Sequence, residues 1–253
     1  MAELAIIGGT GLATLKNLEI SRREVIRTPY GEPSGPLLHG VIGGTDVVFI
    51  PRHGRGHTIP PHRVNYRANM WALRAVGVCG VIAVAAVGGI RNDMEPGQLA
   101  FPDQIIDYTW SREHTFFEYD LEQVTHIDFT RPYSDEVRCL LIKASKQLGL
   151  NAIENGTYGA TQGPRLETAA EINRMERDGC DLVGMTGMPE ASLARELELN
   201  YATCAVIVNW AAGRGSGVIS MEDIEASLGV GMEKVRRLLE TAIPMLQRVN
   251  CDA

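Results

Sequence analysis

The sequence predicts an α/β fold: a single-domain sandwich in which helices flank a central mixed, largely parallel β-sheet. Three observations lead there. Short continuous apolar runs, Leu4–Ile7, Val81–Val87 and Tyr201–Val208, have the pattern of strands buried on both faces. Segments with helical spacing lie between such runs, and this alternation calls for a mainly parallel sheet under helices. The chain has 253 residues, 45% of them hydrophobic, which suffices for one large core. No repeat, low-complexity run or Pro/Ser-rich linker divides it, so residues 1–253 read as one domain.

The elements follow in order. Leu4–Ile7 is a short strand ending in Gly8-Gly9-Thr10-Gly11. Thr45–Pro51 is a second, leading into Arg52-His53-Gly54. Asn65–Val76 has helical spacing, with Ala68, Trp71, Ala72, Ala75 and Val76 on an apolar face and Gly77 as its stop. Val81–Val87 runs into Gly88-Gly89. Ser134–Leu148 reads as a helix capped by Ser134 and stopped by Gly149. Thr157–Thr161 is a strand before Gly163-Pro164-Arg165, Thr168–Asp178 a helix, Leu182–Met185 a strand and Pro189–Leu197 a helix. Tyr201–Val208 is a buried strand ending at Asn209, and Ser220–Val249 closes the chain as one long helix or two shorter ones.

Glycines and polar residues follow five of these runs: Gly8–Gly11, Arg52-His53, Gly88-Gly89, Met185-Thr186 and Asn209. Open α/β sheets bind ligands at the carboxyl ends of their strands, so these tips predict one composite pocket. In Gly8-Gly9-Thr10-Gly11, glycines let backbone N–H groups approach an anion and the threonine adds a hydroxyl; the same residues also read as a tight strand-to-loop turn. The next residues, Leu12-Ala13-Thr14, lack the third glycine of a dinucleotide fingerprint, and no Walker lysine follows. Arg52-His53-Gly54-Arg55-Gly56-His57 gathers cations and donors suited to an oxyanion, or else forms an exposed basic loop. Gly163–Thr168 also reads as a helix start, and Asn209-Trp210 as a turn.

Composition narrows the function. A net charge of −7 argues against wholesale nucleic-acid binding, and an anionic substrate would need a locally positive site. The five cysteines are irregularly spaced with no CxxC pair, which predicts reduced thiols in a cytoplasmic protein. The N-terminus lacks the basic region of a signal peptide, and the longest apolar stretch, Val76–Val87, is too short to span a bilayer. No HExxH, GxSxG or clustered metal ligands occur, so metal hydrolysis and serine-nucleophile chemistry have little support.

Six segments occur in a fixed order: IIGGTGL near the N-terminus, RHGRGHT at 52–58, NYRANMWAL at 65–73, VGGIRNDMEPG at 87–97, GPRLET at 163–168 and GMTGMPE at 184–190. Together they resemble the trimeric purine nucleoside phosphorylase and methylthioadenosine phosphorylase family, over about residues 4–247. The resemblance implies the nucleoside phosphorylase fold, a homotrimer, and phosphorolysis with inorganic phosphate as co-substrate and no metal or organic cofactor. It implies that Thr10, Arg52, His53 and Thr186 hold phosphate, with the backbone N–H of Ala86. Met185 would lie against the ribose, Glu167 and Asn209 would bind the purine, and His126, in THIDFTRPYS, would reach a neighbouring subunit's sugar pocket. The chemistry fits: bound phosphate stabilises the developing sugar cation and attacks C1′, while hydrogen bonds at N7 assist the departing base.

The resemblance also bears on the substrate. Family members for 6-aminopurines carry aspartates where this chain has Asn209 and Ala211. Glu167 matches the 6-oxopurine branch, whose carboxylate accepts from N1–H, a proton that adenine lacks. Members acting on ordinary nucleosides place a histidine beyond this asparagine, near the 5′-hydroxyl, whereas the last histidine here is His126. The segment Val218–Ile224 offers Met221 and Ile224 instead, which match a methylthio pocket and also read as helix core. The expected substrate is S-methyl-5′-thioinosine, yielding hypoxanthine and 5-methylthioribose 1-phosphate. The alternatives are methylthioadenosine, inosine or guanosine as substrate, a non-catalytic nucleotide-binding module, or a nucleoside hydrolase. Two departures stand out: Ala85 replaces a polar residue and Leu166 a phenylalanine near the sugar or base.

Overall fold

A computed structural model of the chain describes residues 3–12, 17–119, 121–215, 217 and 219–246. Its framework is one sheet whose central strands alternate their side chains between two buried faces. The strands are β1 (Leu4–Gly8), β2 (Glu19–Glu24), β3 (Leu37–Ile42), β4 (Thr45–Pro51), β5 (Gly80–Gly89), β6 (Leu99–Ala100), β7 (Gln104–Asp107), β8 (Ala152–Ile153), β9 (Thr157–Ala160), β10 (Leu182–Gly184) and β11 (Asn200–Trp210). The helices are α1 (Tyr66–Ala75), α2 (Asp135–Gln147), α3 (Ala169–Arg177), α4 (Gly187–Glu196) and α5 (Met221–Leu246).

The pairs β4–β1, β1–β5, β5–β11, β10–β9, β9–β7 and β6–β8 are parallel. The pairs β2–β3, β3–β4, β5–β10 and β6–β11 are antiparallel, so the sheet is mixed and largely parallel, as expected.

The period-2 strand geometry explains the continuous apolar runs. In β5, Val81, Ala83, Ala85 and Val87 face one core with Tyr66, Met70 and Leu73 of α1 and Ala191 and Leu193 of α4. Ile82 and Val84 face the other, with Val137 and Leu141 of α2 and Val235, Leu239 and Ala242 of α5. A smaller cluster joins Ile172 and Met175 of α3 to Ile90, Cys180, Val183 and Ala211.

Local signals set most boundaries. Ser134 accepts from Val137 N and caps α2, and Gly149, at φ 64°, follows its end. Thr168 and Glu171 form a reciprocal capping box on α3. On α1 the expected apolar face is rotated: Ala75 is exposed, while Tyr66, Asn69, Met70 and Leu73 are buried with Ala68 and Ala72. The C-terminal segment is one helix of 26 residues, and residues 247–249 of the expected span lie outside the described residues.

The cysteine expectation needs correction. Cys139, Cys180 and Cys204 are free thiols, but Cys79 is disulfide-bonded, so the five do not argue together for a reducing compartment. No helix among the described residues is long and apolar enough to cross a membrane.

Candidate active site

The carboxyl ends of β1, β4, β5 and β11 point the same way because these strands are mutually parallel. β10 meets them from the opposite direction. Its register pairs Val183 with Gly88, which brings the following Met185 and Thr186 to the same rim. Between these tips lies a cavity of about 550 Å³.

All five residues expected at phosphate line this cavity: Thr10, Arg52, His53, Ala86 and Thr186. So do Glu167 and Asn209, expected at the base, and Leu166, Met185, Met221 and Ile224, expected at the sugar. Ala211 does not. It is 2% exposed and packed with Val183 and Ile172, and the cavity wall is made by Ala212 instead. His126 is exposed and lies outside the cavity of its own chain. Val218 is outside the described residues.

Gly9 is required by close approach. A Cβ there would collide with the Val84 carbonyl and come within 2.9 Å of Arg52 Nη1. Arg52 is 1% exposed and gives Nη1 to Val84 O at 2.9 Å. It forms a two-point pair with Glu190, Nε to Oε2 at 2.6 Å and Nη2 to Oε1 at 2.7 Å. Burial opposes the guanidinium charge, but the Glu190 carboxylate outweighs it and the Arg52 pKa is raised. The positive charge foreseen at the anion site is thus already balanced by a buried carboxylate. His53 is buried beside it, with Nδ1 2.8 Å from Ile59 O. Thr186 precedes α4, makes no side-chain cap bond and lines the cavity beside Tyr158, to whose hydroxyl its backbone N–H donates at 3.4 Å.

A bulge aims the base-side asparagine. β11 gains an extra residue against β5 between Ile207 and Asn209, which breaks the alternation, so Val208 and Asn209 both line the cavity. Asn209 Nδ2 donates to Trp210 O at 2.7 Å, which turns its Oδ1 away as an acceptor. The Thr161 hydroxyl donates to Glu167 Oε1 at 2.6 Å, so Oε2 retains its acceptor capacity.

Several functional residues escaped the sequence reading. Glu190 sits inside the quoted GMTGMPE segment; a carboxylate among apolar helix residues was the available signal. Arg112 carried no signal, because it lies in an irregular segment. It is buried and donates to the carbonyls of Thr161 (3.1 Å), Gln162 (2.8 Å), Met185 (2.9 Å) and Met188 (2.6 Å), tying the Glu167 loop to the Thr186 loop. Ile59 and Pro60 also line the cavity, together with His57 and Ile219 of the two segments already singled out.

A mixed α/β sheet thus gathers the residues expected at phosphate and those expected at the base around one strand-tip cavity. The chain belongs to the phosphorylase superfamily, whose sequence model matches residues 3–244. It is 54% identical to a probable S-methyl-5′-thioinosine phosphorylase of Pseudomonas syringae pv. tomato, over 94% of this chain and 97% of that one. It is 44% identical to a 6-oxopurine nucleoside phosphorylase of Pyrococcus furiosus, over 98% and 94%. A methylthioadenosine phosphorylase from Schistosoma mansoni, solved in complex with adenine, superposes with a TM-score of 0.94 at 30% identity, covering 99% of this chain and 93% of that one.

Proposed function

We propose that the protein catalyses phosphorolysis of a 6-oxopurine 5′-methylthionucleoside, converting S-methyl-5′-thioinosine and phosphate to hypoxanthine and 5-methylthioribose 1-phosphate. The observation that carries this reading is the single cavity shared by Thr10, Arg52, His53, Ala86 and Thr186 with Glu167 and Asn209. A phosphate oxygen attacks C1′ as the C1′–N9 bond breaks and its electron pair passes to the purine. The departing purine anion takes up a proton at N7 from solvent, Asn209 Oδ1 accepts from that N7–H, and Glu167 accepts from N1–H. Interactions that strengthen as charge develops lower the barrier.

The sugar assignment rests on Ile219, Met221 and Ile224, which give one cavity wall an apolar surface for a thioether. Met221 is 65% exposed, which argues against its being a mere core residue of α5. The names of the Pseudomonas and Pyrococcus relatives support a 6-oxopurine base. The reading includes a single catalytic domain, a homotrimer whose His126 reaches a neighbour's cavity, and catalysis without metal or organic cofactor.

The test is release of free base from methylthioinosine, methylthioadenosine and inosine, with and without phosphate. Phosphate-dependent release with methylthioinosine giving the highest kcat/KM is expected. Preference for methylthioadenosine would overturn the base assignment, preference for inosine the sugar assignment, and turnover without phosphate the reaction class.

A further inference from the structure

The anion end of the cavity contains an acceptor as well as donors. His53 Nδ1 lies 2.8 Å from the carbonyl oxygen of Ile59. A carbonyl only accepts, so Nδ1 carries a proton. Burial foremost, and then the adjacent Arg52, push the His53 pKa down to about 4; the Ile59 carbonyl opposes this and His57, its ring centroid 4.7 Å away, adds to it. Among the described residues, Arg52 and His57 act on the ring's charge, Glu190 lies behind Arg52, and Glu167 lines the same cavity. The imidazole is therefore neutral near physiological pH, and Nε2 presents a lone pair. Among the described residues no donor is bonded to Nε2, and it is not one of the buried polar atoms sealed without a partner. The ring lines the cavity, and Nε2 is the nitrogen it has left to offer a ligand there.

We propose that His53 Nε2 accepts a hydrogen bond from the proton of hydrogen phosphate, so that the site selects a protonated tetrahedral oxyanion over an unprotonated one of equal charge. The inference rests on the phosphorolysis reading and deepens it. The proton stays on phosphate, and no covalent bond changes in recognition. Turning the P–O–H toward His53 leaves the bare oxygens for Thr10, Arg52, Thr186 and the Ala86 N–H, and one of them for C1′. Because Glu190 already balances Arg52, net charge gives the site little means of discrimination, and hydrogen-bond matching decides.

Hydrogen phosphate and hydrogen arsenate carry this proton at neutral pH. Sulfate has the same shape and double charge but no proton. It must either face lone pair with lone pair or recruit a proton onto His53, a handicap of up to roughly a thousandfold between a pKa of about 4 and neutrality. The bound dianion draws the histidine pKa upward, so a handicap of at least roughly tenfold is expected.

The experiment is calorimetric binding of phosphate, arsenate and sulfate to the full chain at fixed ionic strength, alongside phosphate KM and sulfate inhibition during turnover. Arsenate is expected within about threefold of phosphate, and sulfate at least about tenfold weaker, with the gap narrowing as pH falls toward 4 and His53 takes up a proton. In His53→Gln, whose amide turns either N–H or C=O to the anion, sulfate is expected to come within about threefold of phosphate. Sulfate binding as tightly as phosphate to the unaltered protein at neutral pH overturns the proposal, as does failure of all three anions to bind. Phosphate-independent base release defeats the phosphorolysis reading instead. Phosphate-dependent release with no discrimination against sulfate defeats this inference alone.

Discussion

Arg52 and Glu190 stand 138 residues apart in the chain and meet through two hydrogen bonds, 2.6 and 2.7 Å, with both side chains 1% exposed. Tyr201 donates a third bond to Glu190 Oε1 at 2.9 Å, and burial raises the Tyr201 pKa so that it stays a donor. The carboxylate thereby orients the guanidinium at the cavity wall as well as balancing its charge.

Breaking this pair from one side strands a buried charge. Glu190→Ala should cost about 3–5 kcal/mol in unfolding free energy, read from urea titration. The double variant Arg52→Met, Glu190→Leu should regain much of that loss while phosphate-dependent activity stays abolished. Equal destabilisation in single and double variants would speak against the pairing.

Acid stability should report the neutral state of His53. Its folded pKa, about 4, lies below the ordinary 6.5. As pH falls from 6.5 toward 4 the unfolded ring takes up a proton and the folded one does not, so stability present above that window is lost within it. The contribution is at most about 3 kcal/mol. Thermal melts of the unaltered protein and His53→Gln should therefore converge as pH drops from 6.5 to 4. A constant difference between them would contradict a depressed pKa.

Arg112→Lys keeps a charge but loses the planar fork that reaches the carbonyls of Thr161, Gln162, Met185 and Met188. Both the Glu167 loop and the Thr186 loop should loosen. KM for nucleoside and for phosphate are each expected to rise about tenfold or more. Steady-state kinetics with KM unaltered for both substrates would show that the clamp is dispensable.

Asn209→Asp removes the Nδ2 donor that bonds Trp210 O at 2.7 Å and sets a carboxylate facing the base. The ratio of kcat/KM for methylthioadenosine over methylthioinosine should rise by roughly 10–100-fold. An unchanged ratio means that Asn209 does not face the purine.

Local chemistry made much of the architecture legible. Continuous apolar runs announced β1, β5 and β11, and Ser134, Gly149 and Thr168 marked helix ends, because these signals depend on residues near in sequence. The β2–β3 hairpin went unread: β2 is Glu19–Glu24, exposed nearly throughout at the sheet edge, so no buried alternation betrays it. The site was legible as strand-tip motifs, and eleven of its expected residues do line one cavity. Ala211 is the exception: it packs into the core while Ala212 lines the cavity, and spacing alone does not tell which of two adjacent alanines faces inward after the bulge beyond Ile207.

By itself, then, the sequence determined the layered α/β class and the glycine-rich and polar strand tips, since these follow from hydropathy period and short motifs, while the expected partners of those residues, phosphate and purine, came from the family resemblance. The tertiary structure alone decided that Glu190 neutralises Arg52, that Arg112 joins two distant loops, and that Ile59 sets which nitrogen of His53 holds the proton. These depend on side chains brought together by sheet register and helix packing, and buried electrostatics is set by such proximity in space, which composition and spacing do not encode.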